Sequence, residues 1–158
     1  MSIKIIPAYP EHAPLISGLI YDMLDLFLAG APKQVQLGFF ERYLSAEALA
    51  VCLKDNEHDY FVMKNSLNNI IGVIGFHKGR HIRHLFVARH QHGKGYARQL
   101  WTYGSRRMME KYPSSAAFTV NASIYAVPAY RAFGFEGCDD GICNAQGIQY
   151  LPMVLAAH

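Results

Sequence analysis

The run from His90 to Leu100, HQHGKGYARQL, sets Gly93 and Gly95 on either side of Lys94, with Arg89 just before it and Arg98 within it. Consecutive backbone N–H groups at the start of a helix carry partial positive charge and bind phosphates. Glycines there let the backbone come close to an anion and adopt turns that other residues resist. One reading is therefore an anion cradle, and the other is a plain strand-to-helix connection. Two named phosphate motifs are excluded. A P-loop needs a hydroxyl residue after Gly-Lys, and Gly95 stands there. A dinucleotide fingerprint needs glycine where Arg98 is, and no acidic residue follows at a strand end about twenty residues on.

The charge around this run is lopsided. From Tyr60 to Met109 there is no Asp or Glu, while Lys64, Lys78, Arg80, Arg83, Arg89, Lys94, Arg98, Arg106 and Arg107 all fall there, with five of the eight histidines. The net charge of the whole chain is only +3. An acid-free, base-rich segment inside a mixed chain points to an anionic ligand or to a solvated basic face.

The elements that must position these residues follow from periodicity and punctuation. IKIIPA (Ile3–Ala8) reads as a short strand, and Glu11–Leu28 carries apolar residues at helical spacing. AGAPKQVQLG (Ala29–Gly38) breaks that pattern and reads as a loop, after which Ser45 caps a second helix. DYFVMKN and NIIGVIGFHK, joined by SLNN, read as a hairpin, with RHIRHLFVA as a third strand. From Gly95 to Lys111 the helical period returns, with Ala97, Leu100, Trp101, Gly104 and Met108 on one side. AAFTVN is a strand, and VPAYRAFG is a short helix with Pro128 in its first turn and Gly134 as its stop. FEGCDD and IQYLPMVLA close the chain as strands. The expected fold is α/β (α+β): one domain over residues 1–158 with a mixed, mostly antiparallel sheet flanked by helices, in the order β-α-α-β-β-β-α-β-α-β-β.

Placed between a strand ending near Val87 and a helix starting near Gly95, the glycine run resembles the acetyl-CoA motif of the GNAT superfamily of N-acetyltransferases. That motif is Gln/Arg-x-x-Gly-x-Gly/Ala after a strand ending in a Leu-x-Val-like sequence. Here LFVARHQHGKGYARQL supplies His92-Gly93-Lys94-Gly95-Tyr96-Ala97, with histidine where Gln or Arg is usual. VNASIYAVPAYRAFGF (Val120–Phe135) is similar to the family's Asn-containing strand followed by a Tyr-x-x-x-Gly-Phe helix end, and GIQYLPMVL to its closing strand. The likeness runs from about Ile3 to Leu155.

The resemblance implies acetyl-CoA as co-substrate, its pyrophosphate on the amides of His92, Gly93, Lys94, Gly95, Tyr96 and Ala97. Backbone groups of Leu85, Phe86 and Val87 would meet the pantetheine arm, and one N–H would polarise the thioester carbonyl. Such a donor is worth roughly 3–4 kcal/mol where it has been removed from enzymes. Asn121 matches the family's pantetheine partner, with a strand-end cap as its plain alternative. Tyr130 matches the general acid toward the leaving thiolate, with Tyr125 as a nearby competitor. Full transfer from a phenol to a thiolate is uphill by roughly 2 kcal/mol, which favours a strong hydrogen bond or a lowered phenol pKa. A lysine-like amine at neutral pH needs about 4.6 kcal/mol to become a neutral nucleophile. The strand HIRHLFV has no carboxylate to help, and His81 falls where histone-acetylating relatives carry glutamate. His81 is the candidate base, sharing a face with Arg83 and Leu85 while His84 faces the other way; ordered water or an already neutral amine is the alternative.

The function so implied is N-acetyl transfer to a primary amine of a small molecule, peptide or protein. The acceptor groove is expected near Phe27–Tyr43 and Gly137–Gln149, with Phe39, Phe40 and Tyr43 as lining and Asp139 and Asp140 as attraction for a cationic amine. Alternatives are a non-catalytic coenzyme A sensor of the same fold, or a nucleic-acid binder using RHIRHLFVARHQHGK. The last fits less well, because Ile82, His84 and Phe86 alternating with Leu85 and Val87 suit a strand buried on both faces. At 158 residues, 51% hydrophobic and 17% charged, the chain supports one substantial core. No apolar run reaches membrane-span length and no secretory pattern opens the chain, so a cytoplasmic protein without membrane contact is expected. Cys52, Cys138 and Cys143 fit no common zinc spacing; idle thiols and no metal are expected. A homodimer is implied at family level only.

Overall fold

The run Lys4–Pro7 forms an edge strand, β1, where Pro7 is tolerated because an edge needs fewer ladder donors. The three β-rich runs of the middle of the chain form β2 (His58–Lys64), β3 (Ile70–His77) and β4 (His81–Val87). Later come β5 (Phe118–Ser123), β6 (Glu136–Gly137), β7 (Cys143–Ala145) and β8 (Ile148–Leu155). The computed structural model describes residues 2–114 and 116–156. The strands join in one sheet in the order β1-β2-β3-β4-β5-β8-β6, with β7 also on β8. Every pairing is antiparallel except β4–β5. That parallel pair needs a crossover, which the helix α5 (Tyr96–Lys111) supplies.

Each face of the sheet carries a core. On one, α5 buries Leu100, Trp101 and Met108 against Ile74, Phe76 and Phe118. Burying each such side chain contributes roughly 1.5–3 kcal/mol. Gly104 lets α5 close in, because a Cβ there would stand 2.7 Å from the Phe76 ring. On the other face, Ile16 and Ile20 of α1 (Ala13–Tyr21) pack with Leu49, Val62 and Val73. The short helix α6 (Val127–Ala132) holds Tyr130 edge-on to Phe133 and Phe135 at 5.9 and 5.5 Å. The expected Ser45 cap is present, its Oγ accepting from the Ala48 amide at 3.2 Å to start α4 (Ala46–Lys54).

The order differs from expectation in three places. The helix expected over Glu11–Leu28 is broken after Tyr21 and resumes as α2 (Leu24–Phe27), with Met23 outside helical geometry at φ −117°. The stretch Ala29–Gly38, expected as a loop, contains α3 (Lys33–Phe39), which continues into a wider π-type turn over Phe40–Leu44. Its anchor lies outside the helix: the buried Gln36 amide donates to the carbonyls of Leu28 and Ala31, both at 3.1 Å. The strand expected from FEGCDD shrinks to the two residues of β6, and β7 forms a hairpin with β8 through Gln146 and Gly147, both at positive φ. No helix among the described residues is long and apolar enough to cross a membrane.

Candidate active site

The site begins with a fault in β4. Against β3, Gly75 pairs with His84 but Phe76 pairs with Ile82, so Arg83 is an extra residue, a β-bulge. A bulge bends and twists its strand. On the other side, β4 pairs with β5 only at His81–Thr119 and Ile82–Val120. Beyond those residues the two strands part. The β5-facing backbone edge of β4 is left without a strand partner where a ligand arm needs hydrogen bonds.

The gap opens into a cleft of about 830 Å³. Arg83, His84, Leu85 and Phe86 line it from β4, Val120 to Ser123 from β5, and Tyr130 from α6. Asn121 is exposed there, and the Tyr130 ring is buried. Burial pushes the Tyr130 phenol above its ordinary range, keeping it protonated. Tyr125, the competing tyrosine, is exposed outside the cleft lining.

The two histidines of β4 are sorted by the bulge. His81 stands where the strands still pair, its Nδ1 2.8 Å from the Thr119 hydroxyl, and it does not line the cleft. Burial, then the Arg83 charge, lower its pKa. His84 does line the cleft, and its Nδ1 meets the Tyr60 hydroxyl at 2.6 Å. Tyr60, Gly75 and His84 stand in one row across β2, β3 and β4. The Tyr60 ring crosses over Gly75, where a Cβ would overlap it. Burial, with Arg83 nearby, lowers the His84 pKa to about 3, so its imidazole is neutral at physiological pH. The Tyr60–His84 pair has no sequence signal, because its members are far apart in the chain and meet only through the register.

At the end of β4 the glycine run forms the turn into α5. Gly93 and Gly95 take φ of +82° and +80°, and nothing lies within 4 Å of where a Cβ would stand on either. The Gln99 amide is bonded to the Gly95 carbonyl at 3.1 Å, leaving the amides of Tyr96, Ala97 and Arg98 without intrahelical partners. Here is an open donor cradle at the positive end of a helix. The His92 imidazole clips it to β4: Nε2–H donates to the Val87 carbonyl at 2.7 Å, and Nδ1 faces the Tyr125 hydroxyl at 3.4 Å. Lys94 Nζ donates to Gln91 Oε1 at 2.9 Å. An arm running along the free edge of β4 with a diphosphate at its end matches both halves of this surface.

The remaining wall of the cleft comes from the helices expected to carry the acceptor. Phe27, Val35, Phe39, Arg42 and Tyr43 line it, opposite Gln146, Gln149 and Tyr150 of the last hairpin. Phe40 is instead turned to Tyr21, edge-on at 5.0 Å. Asp139 and Asp140, expected to draw a cationic amine, lie in an exposed turn that does not line the cleft.

Among solved structures the chain is similar to a PaiA N-acetyltransferase from Thermoplasma acidophilum in complex with coenzyme A. The TM-score is 0.82 at 14% identity, over 99% of both chains. It is similar also to the ribosomal-protein-S5-alanine acetyltransferase of Vibrio fischeri, with a TM-score of 0.69 at 14% identity over 99% of this chain and 94% of that one. A third likeness is to the spermidine N-acetyltransferase of Vibrio cholerae in complex with coenzyme A and spermine, at 0.66 and 17% identity over 98% and 95%. These likenesses establish the fold. Among curated proteins none matches the chain in sequence. The profile of the Acetyltransferase (GNAT) domain matches residues 29–157. With most of its length covered by that profile, the chain belongs to the GNAT acetyltransferase family.

Proposed function

We propose that the protein transfers the acetyl group of acetyl-CoA to the nitrogen of a primary amine by direct attack on the thioester. The observation that carries this reading is the parted β4–β5 pair, with a protonated, cleft-facing Tyr130 beside it and a glycine cradle at its end. Coenzyme A in the Thermoplasma and Vibrio cholerae structures of the same fold supports the choice of co-substrate.

In this reading the amides from Gly93 to Ala97 hold the pyrophosphate, while the His92 amide, expected to join them, is taken by the Arg89 carbonyl at 3.3 Å. The free edge of β4 at Leu85, Phe86 and Val87 holds the pantetheine arm, with the Asn121 amide across the gap. One β4 N–H polarises the carbonyl. The amine nitrogen bonds to the acetyl carbon, the carbon–sulfur bond breaks, and Tyr130 hydrogen-bonds and protonates the departing sulfur. Overall one proton moves from nitrogen to sulfur.

His84 is too weak a base to take a proton from an ammonium, and His81 stands off the cleft wall. The amine therefore reacts in its neutral form or loses its proton to water, rather than to a side chain in direct contact. Incubation with acetyl-CoA and a panel of amines, peptides and aminoglycosides is expected to release free thiol and yield an acetylated amine. Coenzyme A binding with no thiol release from any acceptor would contradict the reading and favour the sensor function.

A further inference from the structure

The acceptor side of the cleft carries a charge pattern that specifies more than an amine. Arg83 enters from the bulge of β4 and Arg42 from the turn after α3, and both line the cleft. No Asp or Glu lines it among the described residues. Neither guanidinium is in an ion pair among the described residues; the ion pairs there join Asp55–His58, Glu57–Lys78, Asp25–Arg89 and Asp59–Lys111. Arg42 Cζ lies 5.5 Å from the Tyr43 ring centroid, while in the acid-free segment Arg80 donates to four carbonyls, and Arg89 to Asp25 and the Asp22 carbonyl. Arg83 acts on its surroundings, contributing to the lowered pKa of His77, His81 and His84. The same cleft is lined by apolar and aromatic side chains, among them Phe27, Val35, Phe39 and Tyr43.

A polyamine or aminoglycoside brings several positive charges and needs carboxylates to receive them. This cleft offers the opposite sign. Guanidinium groups pair with carboxylates through parallel N–H donors, which makes arginine suited to recognising them. We propose that the acceptor is an amine that also bears a carboxylate, with an apolar or aromatic body, and that Arg42 and Arg83 bind that carboxylate. This rests on the N-acetyltransferase reading and names its substrate class. The same two charges lower the affinity of the nearby nitrogen for a proton, so more of the amine is neutral where no carboxylate base is at hand.

The test compares matched pairs in the thiol-release assay: phenylalanine with phenethylamine, tyrosine with tyramine, and spermidine as the polycationic control. The carboxylate-bearing member of each pair is expected to have at least about tenfold higher kcat/KM, falling with added salt. In Arg42→Gln/Arg83→Gln protein the ratio within each pair is expected to fall to near one. Faster turnover of the decarboxylated amines or of spermidine by the unaltered protein would overturn the proposal while leaving N-acetyl transfer standing. A preference that persists in the double variant would remove the two arginines from it. Thiol release from none of these, while the wider panel of amines, peptides and aminoglycosides does release it, would overturn the proposal and leave N-acetyl transfer standing; release from neither set, with coenzyme A still bound, would take down both.

Discussion

Tyr130→Phe is expected to lower kcat about a hundredfold while leaving affinity for coenzyme A nearly unchanged. Positioned proton donors contribute on that order, and the buried Tyr130 phenol lines the cleft beside the parted strands. The substitution removes only an oxygen. Burial raises the Tyr130 pKa, and among the described residues no group is hydrogen-bonded to its hydroxyl, so the loss orphans no partner there. The ring keeps its edge contacts with Phe133 and Phe135, and the fold survives. Steady-state kinetics with calorimetry separates the effects: lowered kcat at constant affinity supports the acid role. Unchanged kcat would assign proton delivery to water or to another group.

Acid should destabilise the protein through His84 well before its carboxylates titrate. The folded-state pKa, about 3, lies below the ordinary 6.5, so between those values the unfolded chain binds a proton that the folded chain refuses. Stability is therefore complete above 6.5 and falls as pH drops toward 3. The slope is about 1.4 kcal/mol per pH unit for this one group, or roughly 2 kcal/mol lost by about pH 5. His12, His77 and His81 are shifted in the same direction and add to it. Asp25 and Asp55, lowered from 3.8, add a loss only from about pH 4 downward, below the pH of about 5 at which His84 is read. His84→Gln keeps an acceptor for the Tyr60 hydroxyl and has no proton to gain. Urea unfolding at neutral pH and at about pH 5 should show the variant losing less stability than the parent by roughly 2 kcal/mol. Equal losses would mean that His84 is not held neutral by the fold.

Local grammar carried the parts of the site that depend on special backbone or firm punctuation. Gly93 and Gly95 sit at positive φ, where other residues are strained, and so the cradle was legible from two glycines before a helical period. The short helix that carries Tyr130 was legible because Pro128 and Gly134 bracket it, whereas the tyrosine itself was singled out by the family resemblance alone. The bulge was not. The inserted Arg83 has no partner on β3, where Gly75 pairs with His84 and Phe76 with Ile82, and counting by twos along β4 assumes no such fault. That count set His84 facing away from His81, Arg83 and Leu85; in the structure His84 lines the cleft and His81 is held by Thr119 outside it. The helix α3 was hidden for a related reason, since Gly30, Pro32 and Gly38 read as loop while Gln36 ties it to the carbonyls of Leu28 and Ala31. Pairing across the sheet decided the bulge and the two histidines, and a side-chain bond to carbonyls outside the helix decided α3.

In the proposed reading the parted strands and the glycine cradle together hold coenzyme A. Calorimetric titration of the protein with coenzyme A, beside the same titration of Gly95→Val, tests it most directly. A side chain at φ +80° is strained by roughly 1–3 kcal/mol and projects into the open cradle. Saturable one-to-one binding at micromolar coenzyme A is expected for the parent, weakened at least about tenfold in the variant. No binding by the parent at tens of micromolar, or equal binding by both proteins, would contradict the account.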